Sequence, residues 1–223
     1  MSQYAPPALS ESDQDCEQLA TLFNILSERG RLEILMLLAQ GDRNVTSLCD
    51  ELQLVLAKAS QHLAPLRSFN IVACGHDGPH RIYRLVGPGT SGHHILELPV
   101  QRLVVRILPK AKPARSSALP SDQDLDQLAS LFQLLSCSMR LRILMLLAKA
   151  ERNVNCLIGE LNLPEKMAIY HLELLCNANI VGSPSDGTQL VYGLIGRRTS
   201  GKDHVLELPL QHFVVRIIRK AQR

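Results

Sequence analysis

Lys58, Ser60, Gln61, His62 and Arg67 lie within one short stretch of the chain, and His76, His80, Arg81 and Arg84 follow closely. These side-chain types can read nucleic acid. Glutamine pairs with the edge of adenine, and lysine and arginine suit guanine or a phosphate oxygen. The window 55–84 sets Lys58, Arg67, Arg81 and Arg84 against Asp77, a net +3. A second set comes later: Glu165, Lys166, Tyr170 and His171, then Thr188 and Gln189. There the window 164–193 sets Lys166 against Glu165, Glu173 and Asp186, a net −2. Phosphate neutralisation supplies much of DNA affinity, so the first set is expected to be the stronger binder. The plain alternative for Lys58, Arg81 and Arg84 is a solvated charged surface. For His62 and His171 it is a half-buried structural role, against the groove-facing one that places them in the sets.

The two sets are copies of one unit. Residues 14–92 match 123–201 at a constant offset of 109, with 39 of 79 positions identical. After a one-residue slip, Leu96-Glu-Leu-Pro99 matches Leu206-Glu-Leu-Pro209, and Val104-Val-Arg-Ile107 matches Val214-Val-Arg-Ile217. A period this long indicates tandem domains, not a solenoid. The expected layout is a disordered tail at 1–13, a first domain at 14–108, a Pro- and Ser-bearing linker at 109–121, and a second domain at 122–221. In each copy Leu19, Leu22, Phe23 and Leu26, or Leu128, Leu131, Phe132 and Leu135, recur at helical spacing. Arg31–Ala39 is apolar nearly all round and predicts a buried central helix. A short helix at Ser47–Leu52, a turn at Gln53-Leu54 and a helix from about Ala57 to Phe69 follow. Asp77-Gly78 and Asp186-Gly187, each between β-prone runs, predict hairpins. Helices closed by a hairpin describe a winged helix-turn-helix, so the expected class is mainly α with β-hairpins, in two tandem domains.

Leu26–Ala39, Asn44–Leu52, Ser60-Gln-His-Leu63, Asn70-Ile-Val and Arg81-Ile-Tyr-Arg-Leu85 together resemble ArsR-type transcriptional regulators. Leu135–Leu144, Tyr170–Leu175 and Val191-Tyr192 repeat the resemblance. It covers about residues 14–86 and 123–195. It implies a winged-helix repressor that binds double-stranded operator DNA, usually as a dimer. The second helix of the pair would enter the major groove and the wing would lie against flanking phosphates.

The chain departs from the family in three ways. Metal-sensing members often carry a Cys pair in the third helix. Here that segment holds one cysteine per copy, Cys49 or Cys156, at non-equivalent positions. No metal or other cofactor is therefore expected, and His93, His94 and His204 read as solvated loop residues. Members usually end in a pairing helix. Here each copy ends in a β-prone hairpin, such as 94–108, with apolar residues on both faces. The simplest cover is the matching hairpin of the other copy, which would make the chain an intramolecular pseudo-dimer, with a homodimer as the competing arrangement. Third, the reading heads have diverged. Arg31–Ala39 and Arg140–Ala148 share 8 of 9 residues, but Leu56–Arg67 and Glu165–Cys176 share only 4 of 12. Pro65 is expected to kink the first groove helix or end it near Ala64. Pro164, at the start of the second, sits where proline is favourable.

Composition bounds the remaining classes. The chain has 223 residues, 46% hydrophobic, with net charge +3 and no tryptophan. Its longest apolar run, Ile34–Ala39, is far below the roughly 18 residues of a membrane span. Met1–Ser12 lacks the pattern of an export signal, and the six scattered cysteines read as reduced thiols in a cytoplasmic protein. No enzyme is expected: Gly87-Pro-Gly89 and Gly196 follow no strand-to-helix pattern. The alternative to a DNA-binding regulator is a winged-helix protein-interaction module that has lost DNA binding.

Overall fold

The computed structural model describes residues 10–78, 80–87, 96–110, 120–183, 191–195 and 204–220. The first copy comprises α1 (Glu11–Leu26), α2 (Arg29–Ala39), β1 (Arg43–Asn44), α3 (Val45–Leu52), α4 (Leu56–Ser68), β2 (Val72–Asp77), β3 (His80–Leu85), β4 (Leu96–Val100) and β5 (Leu103–Pro109). The second repeats the order with α5 (Asp122–Leu135), α6 (Ser138–Lys149), β6 (Arg152–Asn153), α7 (Val154–Leu161), α8 (Glu165–Asn177), β7 (Val181–Gly182), β8 (Val191–Leu194), β9 (His204–Pro209) and β10 (Phe213–Arg219). No single described helix is long and apolar enough to cross a membrane.

Helix α1 begins inside the segment read as a disordered tail. Ser10 accepts a hydrogen bond from the Asp13 backbone N–H while the Asp13 carboxylate accepts from the Ser10 N–H, a reciprocal cap that starts the helix early. Ser121 and Asp124 do the same for α5. The end of α1 is satisfied from the next helix, where the Arg31 guanidinium donates to the Ile25 carbonyl at 2.8 Å. The segment read as a linker lies outside the described residues at 111–119, whereas Pro109 closes β5.

One apolar core runs through both copies. Helix α1 packs on α5 and α6, and α2 on α5. Phe23 and Phe132, both fully buried, stack at its centre with ring centroids 5.2 Å apart and planes 9° apart. At the rim, Arg142 of α6 donates to Asp13 of α1 at 2.6 Å. At the equivalent spot Glu33 stands in place of Arg142, and Arg29 bridges Glu33 and Asp122. The Arg142 guanidinium holds the Asp13 carboxyl below its ordinary value.

The C-terminal hairpins do not stack face to face as their two apolar faces suggest. They join edge to edge in one four-stranded antiparallel sheet, β4-β5-β10-β9. The central pairing runs from Leu103 opposite Arg219 to Pro109 opposite Phe213. Alternate residues such as Leu98, Val105, Ile107, Leu208, Val215 and Ile217 are buried, and helices cover that face: α1 touches β4 and α6 touches β9. The other face carries a ladder in register, Glu97–Arg106–Arg216–Glu207. The two arginines stand opposite each other, and each is neutralised by the glutamate on its own hairpin. Pairing consumes one edge of each hairpin, and Pro99 and Pro209 sit on the two strands that remain outermost.

Candidate nucleic-acid interface

Each reading head is built by local rules. Asn44 caps α3 by accepting from the Ser47 N–H at 2.7 Å, and Asn153 caps α7 by accepting from Cys156 N–H at 2.8 Å. The turn to the next helix needs one left-handed residue, supplied by Gln53 (φ 53°) and Asn162 (φ 50°). Helix α4 then seats Ala59, His62, Leu63 and Leu66 in the core. That i, i+3, i+4, i+7 spacing fixes which side chains point outward. Of the two expectations for Pro65, an end near Ala64 is overturned: α4 continues through the proline to Ser68. The proline removes one helical donor, while buried Leu63 and Leu66 on either side of it hold the helix to the core.

In the first head Lys58, Ser60, Gln61 and Arg67 are exposed on the outward face of α4. His76, His80, Arg81 and Arg84 are exposed on the wing. The wing is the sheet β1-β3-β2, with His76 opposite Arg81 and Ala73 opposite Arg84. Tyr83 turns inward and is buried beneath it. Among the described residues, no carboxylate forms an ion pair with Lys58, Arg67, Arg81 or Arg84. By contrast Arg29, Arg43, Arg102, Arg106, Arg142, Arg152 and Arg216 each pair with one. Arg31 and Arg140 donate instead to backbone carbonyls, while the four cations of the first head are exposed.

His62 and His171 do not face the groove side as their place in the two sets suggests. Both are buried, at 6% and 5% exposure, and face the core rather than outward. The His62 ring lies against Gly30 of α2, where even a Cβ would sit 2.7 Å from Nε2. Burial lowers the pKa of both below the ordinary 6.5, helped for His62 by Lys58 and Arg31 and for His171 by Arg140. The unfolded chain therefore binds more protons than the folded one just below that value. Stability is full above the free-histidine value and falls as acid drives protons onto these rings. The melting temperature is expected to drop between about pH 7.5 and about pH 5.5, and less so in a His62→Gln, His171→Gln variant. Equal slopes in the two proteins would contradict this role for the rings.

The second head differs in chemistry. On α8, Lys166 and Tyr170 are exposed, as are Glu165 and Glu173. Three large exposed side chains, Met167 (44%), Ile169 (38%) and Tyr170 (51%), share its surface. Met167 and Ile169 were missed in the sequence, yet the buried series Ala168, His171, Leu172 and Leu175 already places them outside it. Gly193 on β8 occupies the position of Arg84. Thr188 and Gln189 lie outside the described residues, as do His93 and His94. Among the described residues, no group of three or more His, Cys, Asp or Glu side chains converges as metal ligands.

Comparison with known proteins places this geometry. Residues 28–73 and 137–183 each match the model of the bacterial regulatory protein arsR family. Over 71 residues the chain is 35% identical to HTH-type transcriptional regulator Rv0324 of Mycobacterium tuberculosis (strain ATCC 25618 / H37Rv); the match covers 32% of this chain and 31% of that regulator. The chain therefore spans about a third of that relative's length. Reduced HlyU from Vibrio cholerae N16961 is 28% identical over 35% of this chain and 83% of its own, with a TM-score of 0.34. Both matched segments contain the α3–α4 or α7–α8 helix pair. The chain thus carries two winged helix-turn-helix units in tandem, each containing a segment that matches the arsR-family model.

Proposed function

We propose that the protein is a sequence-specific, double-stranded-DNA-binding transcriptional repressor that works as an intramolecular pseudo-dimer. The single observation that carries the reading is the set of four outward-facing cations on the first head, Lys58, Arg67, Arg81 and Arg84, with no carboxylate partner among the described residues, where seven arginines elsewhere in the chain each have one. Lys58, Ser60, Gln61 and Arg67 would address the major groove, and His80, Arg81 and Arg84 the flanking backbone. In the second head Lys166, Tyr170 and Gln189 would make weaker contacts. The joined sheet and the Phe23–Phe132 stack support pairing within one chain, which makes a second chain unnecessary for a two-headed unit. A repressor of this kind acts by occupying its operator, in the cytoplasm where the DNA is. The second reading, a protein-interaction module, is favoured by one observation: the exposed Met167, Ile169 and Tyr170 beside two glutamates.

Selection of bound sequences from random duplexes tests the proposal. The expected result is one well-defined half-site with a degenerate second about one helical turn, ~34 Å, away. No enrichment would favour the protein-interaction module, and two equally sharp half-sites would contradict unequal heads.

A further inference from the structure

We infer that the second copy holds a binding pocket for a neutral, mainly apolar small molecule, opened by an alanine where the first copy has a phenylalanine. The pocket lies between α5, the C-terminal end of α8 and β9, with a volume of about 680 Å³. Sites for small molecules commonly occupy about 300–1,000 Å³ and are mostly apolar with a few polar groups. Leu131, Leu134, Leu174, Ile180 and Leu208 supply the apolar walls.

The repeat shows which side chain differs at this place. At the offset of 109, Ala178 corresponds to Phe69, which packs against the core of the first copy. The backbone is the same in both places. Each helix is followed by Asn-Ile-Val, with Asn70 at φ 56° and Asn179 at φ 57°. Phe69 is half-buried whereas Ala178 is exposed, so the smaller side chain leaves a groove open to solvent over the apolar floor of Leu131, Ile180 and Leu208, and apolar surface of that kind gains by being covered.

Charge defines the ligand class. None of the lining residues is Lys, Arg or His. The one carboxylate, Asp126, is mostly exposed and lies 3.5 Å from the Arg29 guanidinium, at the solvent rim rather than on the apolar wall. The remaining polar groups are amides and a hydroxyl: Gln123, Gln127, Ser130, Asn177 and Asn179. They suit a ligand with an uncharged hydrogen-bonding edge. This assignment does not depend on DNA binding.

Titration of the full chain with N-phenyl-1-naphthylamine, a neutral apolar fluorescent probe, tests it. The expected result is saturable binding at one site per chain. Ala178→Phe should weaken it at least about tenfold by restoring the side chain of the first copy. Ser130→Trp, from an exposed position on α5, should close the mouth with a similar loss and needs no change in the core. Thermal melts check folding, and if Ala178→Phe does not fold, Ser130→Trp alone decides. Absence of saturable binding in the wild-type chain, or unchanged binding in the folded variants, would overturn the proposal.

Discussion

Lys58→Glu combined with Arg81→Glu is expected to weaken duplex binding on the order of 100-fold and to flatten its salt dependence by about two ion contacts. Lys58 is exposed on α4 and Arg81 on β3, so the pair samples the groove helix and the wing together. Neither side chain has an ion-pair partner among the described residues, so the reversal breaks no scaffold bridge. The melting temperature should therefore change little while affinity collapses. Lys166→Glu is the contrast. It lies on α8 beside Glu165, with Glu173 further along the same helix, where the local charge is already negative. Its loss should be several-fold smaller. Fluorescence anisotropy with a labelled duplex reads both. Equal losses from the two changes would show that the heads share the DNA equally.

Phe23→Ala should cost about 3–5 kcal/mol of stability, the usual range for emptying a fully buried aromatic site. The ring touches both copies, because its stacking partner Phe132 comes from α5. A cavity there cannot be filled by one copy relaxing alone. The double variant with Phe132→Ala should fall short of the sum of the single losses, since stacked pairs interact by about 0.5–1.5 kcal/mol beyond their buried area. Chemical denaturation measures this, and unfolding should remain one cooperative transition because the core is shared. A loss under about 1 kcal/mol, or two separate transitions, would show that the copies are stable apart.

Much of this fold is legible from local pattern. The helix pair, the turn at Gln53 and the wing follow from periodicity and from Asp77-Gly78, because those signals act over a few residues. What was not legible depends on partners distant in the chain. The hairpins announce apolar residues on both faces, but only the approach of β5 to β10 decides that they join by their edges. Pro65 announces a kink or an end, and with Leu63 and Leu66 buried the helix does not end there. His62 has the chemistry of a groove residue and the spacing of a core residue, and the space left by Gly30 settles which one governs. In the candidate interface Lys58, Gln61, Arg81 and Arg84 could be read from type and spacing. Met167 and Ile169 could not be read by type, because exposed apolar residues look like core until the buried face of α8 is known.

The most direct test of the central claim is the salt dependence of the full chain on its selected duplex. Four cations, Lys58, Arg67, Arg81 and Arg84, are open on the first head. At about −0.9 per phosphate neutralised, affinity should fall with salt on a log–log slope approaching about −3.6. A slope near zero, or no measurable binding at low salt, would contradict the account.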